Sequence, residues 1–304
     1  MTAERVQKFV RFAWVTLAIT VVVIVWGAVV RATGSGAGCG SHWPLCNGDV
    51  LPLAPTTSTI IEFTHRLTSG LALVLSVVMF VWARRLFPPG HRARTWAGAA
   101  LAFMLGEAAI GAGIVLLELV ENNASALRAI YQGVHLTNTM FLVAAITATI
   151  RFSGSQVLGF SGAQVLGFSG SRVLGFSGRR WRVAVAMILM IVVAAFGAIV
   201  ALGDTLFPHA SLAEGIAADF DSTSHFLIRL RIWHPILAAA ASLLAVFTFR
   251  TALITTLIVA QVGLGVLNLM MLAPLPLQMA HLLGSNVLWI AMVWTALEAP
   301  QPLR

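Results

Sequence analysis

Four histidines, His65, His135, His234 and His281, stand within long apolar runs of the chain. An ionisable side chain in hydrocarbon is costly and usually faces the interior of a helix bundle. A neutral imidazole offers a nitrogen lone pair, and two imidazoles opposed across a four-helix bundle form the axial ligand set of a haem iron. Zinc or copper is the rival, but nothing beside these histidines supplies the further Cys or His ligands that would complete such a shell. A carboxylate, Glu62, lies three residues before His65 and so shares its helical face.

The elements that must position these groups are membrane helices. Of 304 residues, 59% are hydrophobic and 10% charged, against about 25% charged in a soluble domain; the mean hydropathy is +0.90. Eight apolar runs, Phe12–Val30, Ile60–Trp82, Trp96–Leu117, Ala129–Ile150, Val183–Leu202, Phe226–Phe249, Ala252–Leu272 and Leu275–Leu297, each approach the ~20 residues needed to cross a bilayer. The fold class expected is an all-α integral membrane protein. The net charge of +8 is a topology signal and does not point to nucleic acid. Arg5, Lys8 and Arg11, then Arg84, Arg85, Arg92 and Arg94, then Arg151, Arg172, Arg179, Arg180 and Arg182, with Arg250 and Arg304, all fall on one side of an eight-span chain. By the positive-inside rule that side is the cytoplasm, with both termini inside. Run one reads as a retained helix, so a bacterial plasma membrane is the expected location, with membrane lipid around it.

The runs form an internal repeat. "WGAVVRATGSG" at Trp26–Gly36 matches "FGAIVALGD" at Phe196–Asp204, and "EFTHR" in run two matches "RIWHP" in run six. "EAAIGAG" from Glu107 matches "QVGLGVL" from Gln261, and "QGVHL" from Gln132 matches "QMAHL" from Gln278. Two pseudo-symmetric four-helix bundles follow, residues 1–151 and 183–304. Residues 152–182 join them and carry an eight-residue FSGxxVLG repeat that reads as a cytoplasmic linker. The repeat puts the four histidines at the starts of even-numbered helices, toward the outer face, and pairs them as His65 with His135 and His234 with His281. Arg66 and Arg231, beside these histidines, are candidates to pair with haem propionates; snorkelling to lipid headgroups is their plainer role. Gly70, Gly133 and Gly284 are small residues that could leave room for a macrocycle.

The halves also differ. Glu62 is matched by Arg231, so the first half carries ligands and a reactive acid while the second carries ligands only, as suits an electron-transfer haem. Glu107, matched by Gln261, is read as a proton-path residue or an interhelical hydrogen-bonding partner and is kept outside the catalytic set. Cys39 and Cys46 share one loop, which the topology puts on the oxidising side; a disulfide is expected, with two free thiols or a metal pair as alternatives.

With "GAVVRATGSGAGC", "HWPLCNG", "EFTHR", "QGVHL", "WHP" and "QMAHLL" in place, the chain resembles the haem A synthase family everywhere except the repeat linker. The resemblance implies an enzyme that oxidises the C8 methyl of haem O to a formyl group, through alcohol and hydrated aldehyde, giving haem A for terminal oxidases. It implies that His65 and His135 hold the substrate haem, that Glu62 is essential for the oxidation, and that His234 and His281 ligate a permanent haem b. Cys39 and Cys46 match the family's cysteine pair in the first outer loop. The chain departs from relatives that carry a second cysteine pair between helices five and six, and it has Gly-Ser-His after Cys39 where Pro-Asp is common. Haem O, an unidentified electron acceptor and a haem O synthase are the partners this reading implies. Two readings from other classes stand beside it: a dihaem b-type cytochrome carrying electrons from a quinol, and a repeat-built transporter, which would want broken helices around a midplane polar site.

Overall fold

A backbone in hydrocarbon must satisfy its own N–H and C=O groups, so each apolar run folds as a helix. The computed structural model describes residues 2–154 and 176–297. Among these the helices are α1 (Ala3–Ala32), α2 (Thr57–Leu86), α3 (Arg92–Leu116), α4 (Ala126–Gly154), α5 (Phe176–Leu206), α6 (Leu212–Phe220), α7 (Phe226–Arg229), α8 (Trp233–Phe249), α9 (Ala252–Met270) and α10 (Leu275–Ala296), with a 3₁₀ turn at Ser35–Ala37. Eight segments are long and apolar enough to span a membrane, α7 and α8 counting as one from Phe226 to Phe249. All eight expected runs are present. Of the expected linker, α4 extends through Gly154 and α5 starts at Phe176; residues 155–175 lie outside the described residues.

Local sequence explains the ends and the interruptions. The Thr56 hydroxyl accepts the Thr59 N–H at the head of α2, and the Thr251 hydroxyl accepts that of Ile254 at the head of α9. These caps satisfy donors that a helix start leaves free. The run Phe226–Phe249 is broken between α7 and α8, where Pro235 has no N–H for the Arg231 carbonyl, which accepts the His234 N–H at 3.3 Å instead. Arg231 therefore sits in the break, and the helical face that Glu62 shares with His65 is not reproduced around His234. Buried hydroxyls of Thr16, Thr20, Thr147, Thr149 and Ser153 each donate to a carbonyl four residues back, which makes them tolerable in an apolar interior.

In the first half α1, α2, α3 and α4 pack as a closed ring, α1 against α4; in the second α5, α8, α9 and α10 pack in the same order. The rings meet through α1, α4, α5 and α10. Phe9, Met79, Leu142, Ile146 and Trp289 share one buried cluster, so α10 contributes to the core of the other half. The Trp289 indole donates to the Met140 carbonyl at 2.8 Å. Arg31 of α1 also reaches across: Nη1 donates to the Ala201 carbonyl and, at 2.6 Å, to Thr205 Oγ1, and Nη2 donates to Gln278 Oε1 at 3.0 Å. The Ile254, Ile258, Leu288 and Met292 side chains fill the separate core of the second half.

Candidate active site

Glu62, on the second turn of α2, is 3% exposed. Its Oε2 accepts the Cys39 N–H at 2.7 Å, and its Oε1 accepts Arg66 Nε at 3.1 Å together with Arg66 Nη2. Arg66 Nη1 donates to the carbonyls of His42 and, at 2.7 Å, Leu45. Cys39 and Cys46 are disulfide-bonded, closing the loop whose backbone thus meets both side chains. The loop lies directly on α2. A Cβ on Gly38 would stand 2.4 Å from the Ser58 carbonyl, so only glycine fits there. The Gly38 carbonyl accepts the Thr59 hydroxyl at 2.8 Å, fixing the loop one residue from Cys39.

The histidines occur on diagonal helices of each ring: α2 and α4 carry His65 and His135, while α8 and α10 carry His234 and His281. In the second half the two imidazole centroids are 6.4 Å apart with planes at 81°. A metal–imidazole bond of about 2 Å on each side, plus roughly 1 Å from nitrogen to ring centre, calls for about 6 Å, so the separation of the rings leaves room for an iron between them. His234 Nδ1 is 3.2 Å from the Val193 carbonyl, a contact that puts the proton on Nδ1 and leaves Nε2 as the lone-pair nitrogen. A Cβ on Gly197 would stand 3.0 Å from His234 Cε1, and one on Gly265 3.1 Å from His281 Cε1. Each imidazole is therefore seated against a glycine of a neighbouring helix.

The first half repeats part of this plan. A Cβ on Gly27 would stand 3.0 Å from His65 Cε1, the counterpart of Gly197 and His234. His65 Nδ1 and His135 Nδ1 are buried without a hydrogen-bond partner. The protein alone therefore leaves a buried polar atom unsatisfied on each ring. His135 Nε2 lies 3.3 Å from Glu107 Oε2, a neighbour that the sequence alone did not bring to this site. The repeat held a signal for the glycine seats, since Gly27 and Gly197 occupy matched positions, but not for the carboxylate, whose approach depends on how α3 is rotated against α4.

Other expected residues are placed differently from the simplest reading. Both propionate candidates already have protein acceptors: Arg66 those just described, and Arg231 the carboxylates of Asp204 at 3.1 Å and Asp219 at 2.8 Å. Gly133 packs against Ile199 of α5, and a Cβ on Gly284 would stand 2.5 Å from Gln261 Oε1. Only Gly70 of the three small residues faces open space.

The fold and the histidine pairs define a polytopic membrane protein with two four-helix rings, one of which carries a buried, loop-capped carboxylate beside its histidine. The family model for the cytochrome oxidase assembly protein family (COX15-CtaA) matches residues 10–293, and the chain belongs to that family. A Thermus thermophilus protein named protoheme IX farnesyltransferase is 40% identical over 316 residues, covering 96% of this chain and 48% of that protein. Proteins named heme A synthase are 35% identical over 129 residues in Alkalihalophilus pseudofirmus and 40% over 96 residues in Halalkalibacterium halodurans. These matches take in 42% and 32% of this chain, and 41% and 32% of those proteins. The chain spans about half the length of the Thermus relative it matches.

Proposed function

We propose that this chain is a haem A synthase, oxidising the C8 methyl of haem O to a formyl group to give haem A for terminal oxidases. The observation that carries the reading is the asymmetry of two otherwise matched bundles: Glu62 is buried and held beside His65, while at the matched position Arg231 is off the helix and paired with two aspartates. Membership of the family and the names of the two partial relatives support it.

In this reading His65 and His135 hold the substrate haem, and His234 and His281 hold a permanent haem b, which when bound supplies one-electron redox chemistry. Glu62 has donors on both carboxyl oxygens, so it serves as a fixed negative charge near the reacting methyl carbon, stabilising positive charge as hydrogen is removed. The disulfide loop holds that carboxylate in place and covers it from water. Residues 1–151 form the substrate bundle and 183–304 the haem b bundle, in a bacterial plasma membrane, termini cytoplasmic and haem sites toward the outer face.

The farnesyltransferase name belongs to a protein of which half lies outside the match. A haem O synthase is the partner this reading implies. The test is co-expression with a source of haem O, then extraction and chromatography of the haems. Haem A is the expected product. Recovery of unchanged haem O from a haem-loaded chain would favour the dihaem cytochrome, and a colourless chain the transporter.

A further inference from the structure

The two halves differ at a second contact. In the first, Glu107 of α3 points Oε2 at His135 Nε2, while its Oε1 receives Asn138 Nδ2 at 2.6 Å and Thr139 Oγ1 at 3.0 Å. Asn138 is held in turn by the Phe103 carbonyl at 2.8 Å, and Gly106 makes room for it, since a Cβ there would stand 2.8 Å from Asn138 Oδ1. At the matched positions the second half has Ala260, Gln261, Gly284 and Ser285. With no asparagine to hold it, Gln261 leans over Gly284 and donates to the His281 carbonyl at 2.9 Å. Its amide nitrogen is 3.2 Å from one ring nitrogen of His281 and 3.3 Å from the other, so it singles out neither. The Glu107 carboxylate, by contrast, addresses one nitrogen of His135.

That nitrogen is the one an iron would need. Nδ1 of His135 adjoins the ring's own Cβ and is buried without a partner, whereas Nε2, the ring nitrogen farther from the α4 backbone, faces Glu107 at 3.3 Å. Iron and Glu107 therefore compete for it. We propose that Glu107 is a positioning residue that makes haem ligation in the first half reversible, by taking up His135 Nε2 whenever iron lets it go. The proposal rests on the reading that the first half handles haem as substrate: a haem that enters and leaves needs a ligand with an alternative partner, and a permanent haem does not. Asn138 and Thr139 keep the carboxylate aimed while His135 changes partners; Gln261 offers His281 no equivalent. Losing this contact should change haem residence by about tenfold.

The experiment uses the full chain loaded with haem in detergent and follows transfer of haem to excess apomyoglobin by absorbance. His65→Ala identifies the phase that belongs to the first half. Glu107→Gln should slow that phase about tenfold and leave the other unchanged. An unchanged or faster first-half phase overturns the proposal, because loosened packing alone would speed loss. The reciprocal triple variant Ala260→Gly, Gln261→Glu, Gly284→Asn should release haem from the second half about tenfold faster; if Glu107→Gln does not fold, an unchanged rate in the triple variant overturns the proposal. A wild-type chain that takes up no haem defeats the functional reading itself, whereas a loaded chain insensitive to these changes defeats only the role of Glu107.

Discussion

Glu62 is a carboxylate with three donors aimed at it, one from a loop backbone and two from a single guanidinium. Its replacement should separate binding from chemistry. Glu62→Ala is expected to load haem as the wild type does, because His65 and His135 are untouched, yet to stall before the aldehyde; chromatography of the extracted haems checks this, and a normal haem A yield contradicts the assigned role. The Glu62–Arg66 pair has the favourable spacing of a glutamate four residues ahead of an arginine on a helix, although the sequence reading gave Arg66 to a propionate instead. The partners of Arg231 were not legible, because Asp204 and Asp219 come to it from α5 and α6 through loops with no periodic pattern. Arg66 and Arg231 were expected to pair with haem propionates; within the chain Arg66 reaches Glu62 and the loop carbonyls, and Arg231 reaches Asp204 and Asp219.

At the scale of the helix, the eight runs could be read because apolar length decides a membrane span regardless of what packs beside it. The break between α7 and α8 could be read only from Pro235, and the amphipathic α6 lies in a segment that sequence left as loop. Helix rotation was not legible, which is why Glu107 was set aside although it touches His135. Rotation also fixes the glycine seats, and these give a paired prediction. Gly197→Ala puts a methyl 3.0 Å from His234 Cε1; overpacking of that kind costs about 1–3 kcal/mol, so the absorption spectrum of the second-half haem should shift and its affinity fall about tenfold. Gly27→Ala should leave that spectrum unchanged and lower the yield of haem A instead. Identical effects from both variants would contradict the division of labour between bundles.

At the scale of the molecule, the two rings are tied by Arg31 and Trp289 as well as by apolar packing. Arg31→Leu removes three donor contacts and leaves Thr205 and Gln278 without their partner across the interface. We expect a loss of about 2 kcal/mol, read as a melting midpoint lower by a few degrees in detergent, with both bundles still able to load haem; an unchanged midpoint would show that apolar contact alone joins them. The exchange of Gly106 and Asn138 in one ring for Ala260 and Gly284 in the other has a consequence for redesign. Gly284→Asn alone would displace the Gln261 amide, and Ala260→Gly alone would only open a hole. Giving one ring the contact of the other therefore takes several coordinated substitutions, so the two histidine environments are set apart by shape as well as by the acid.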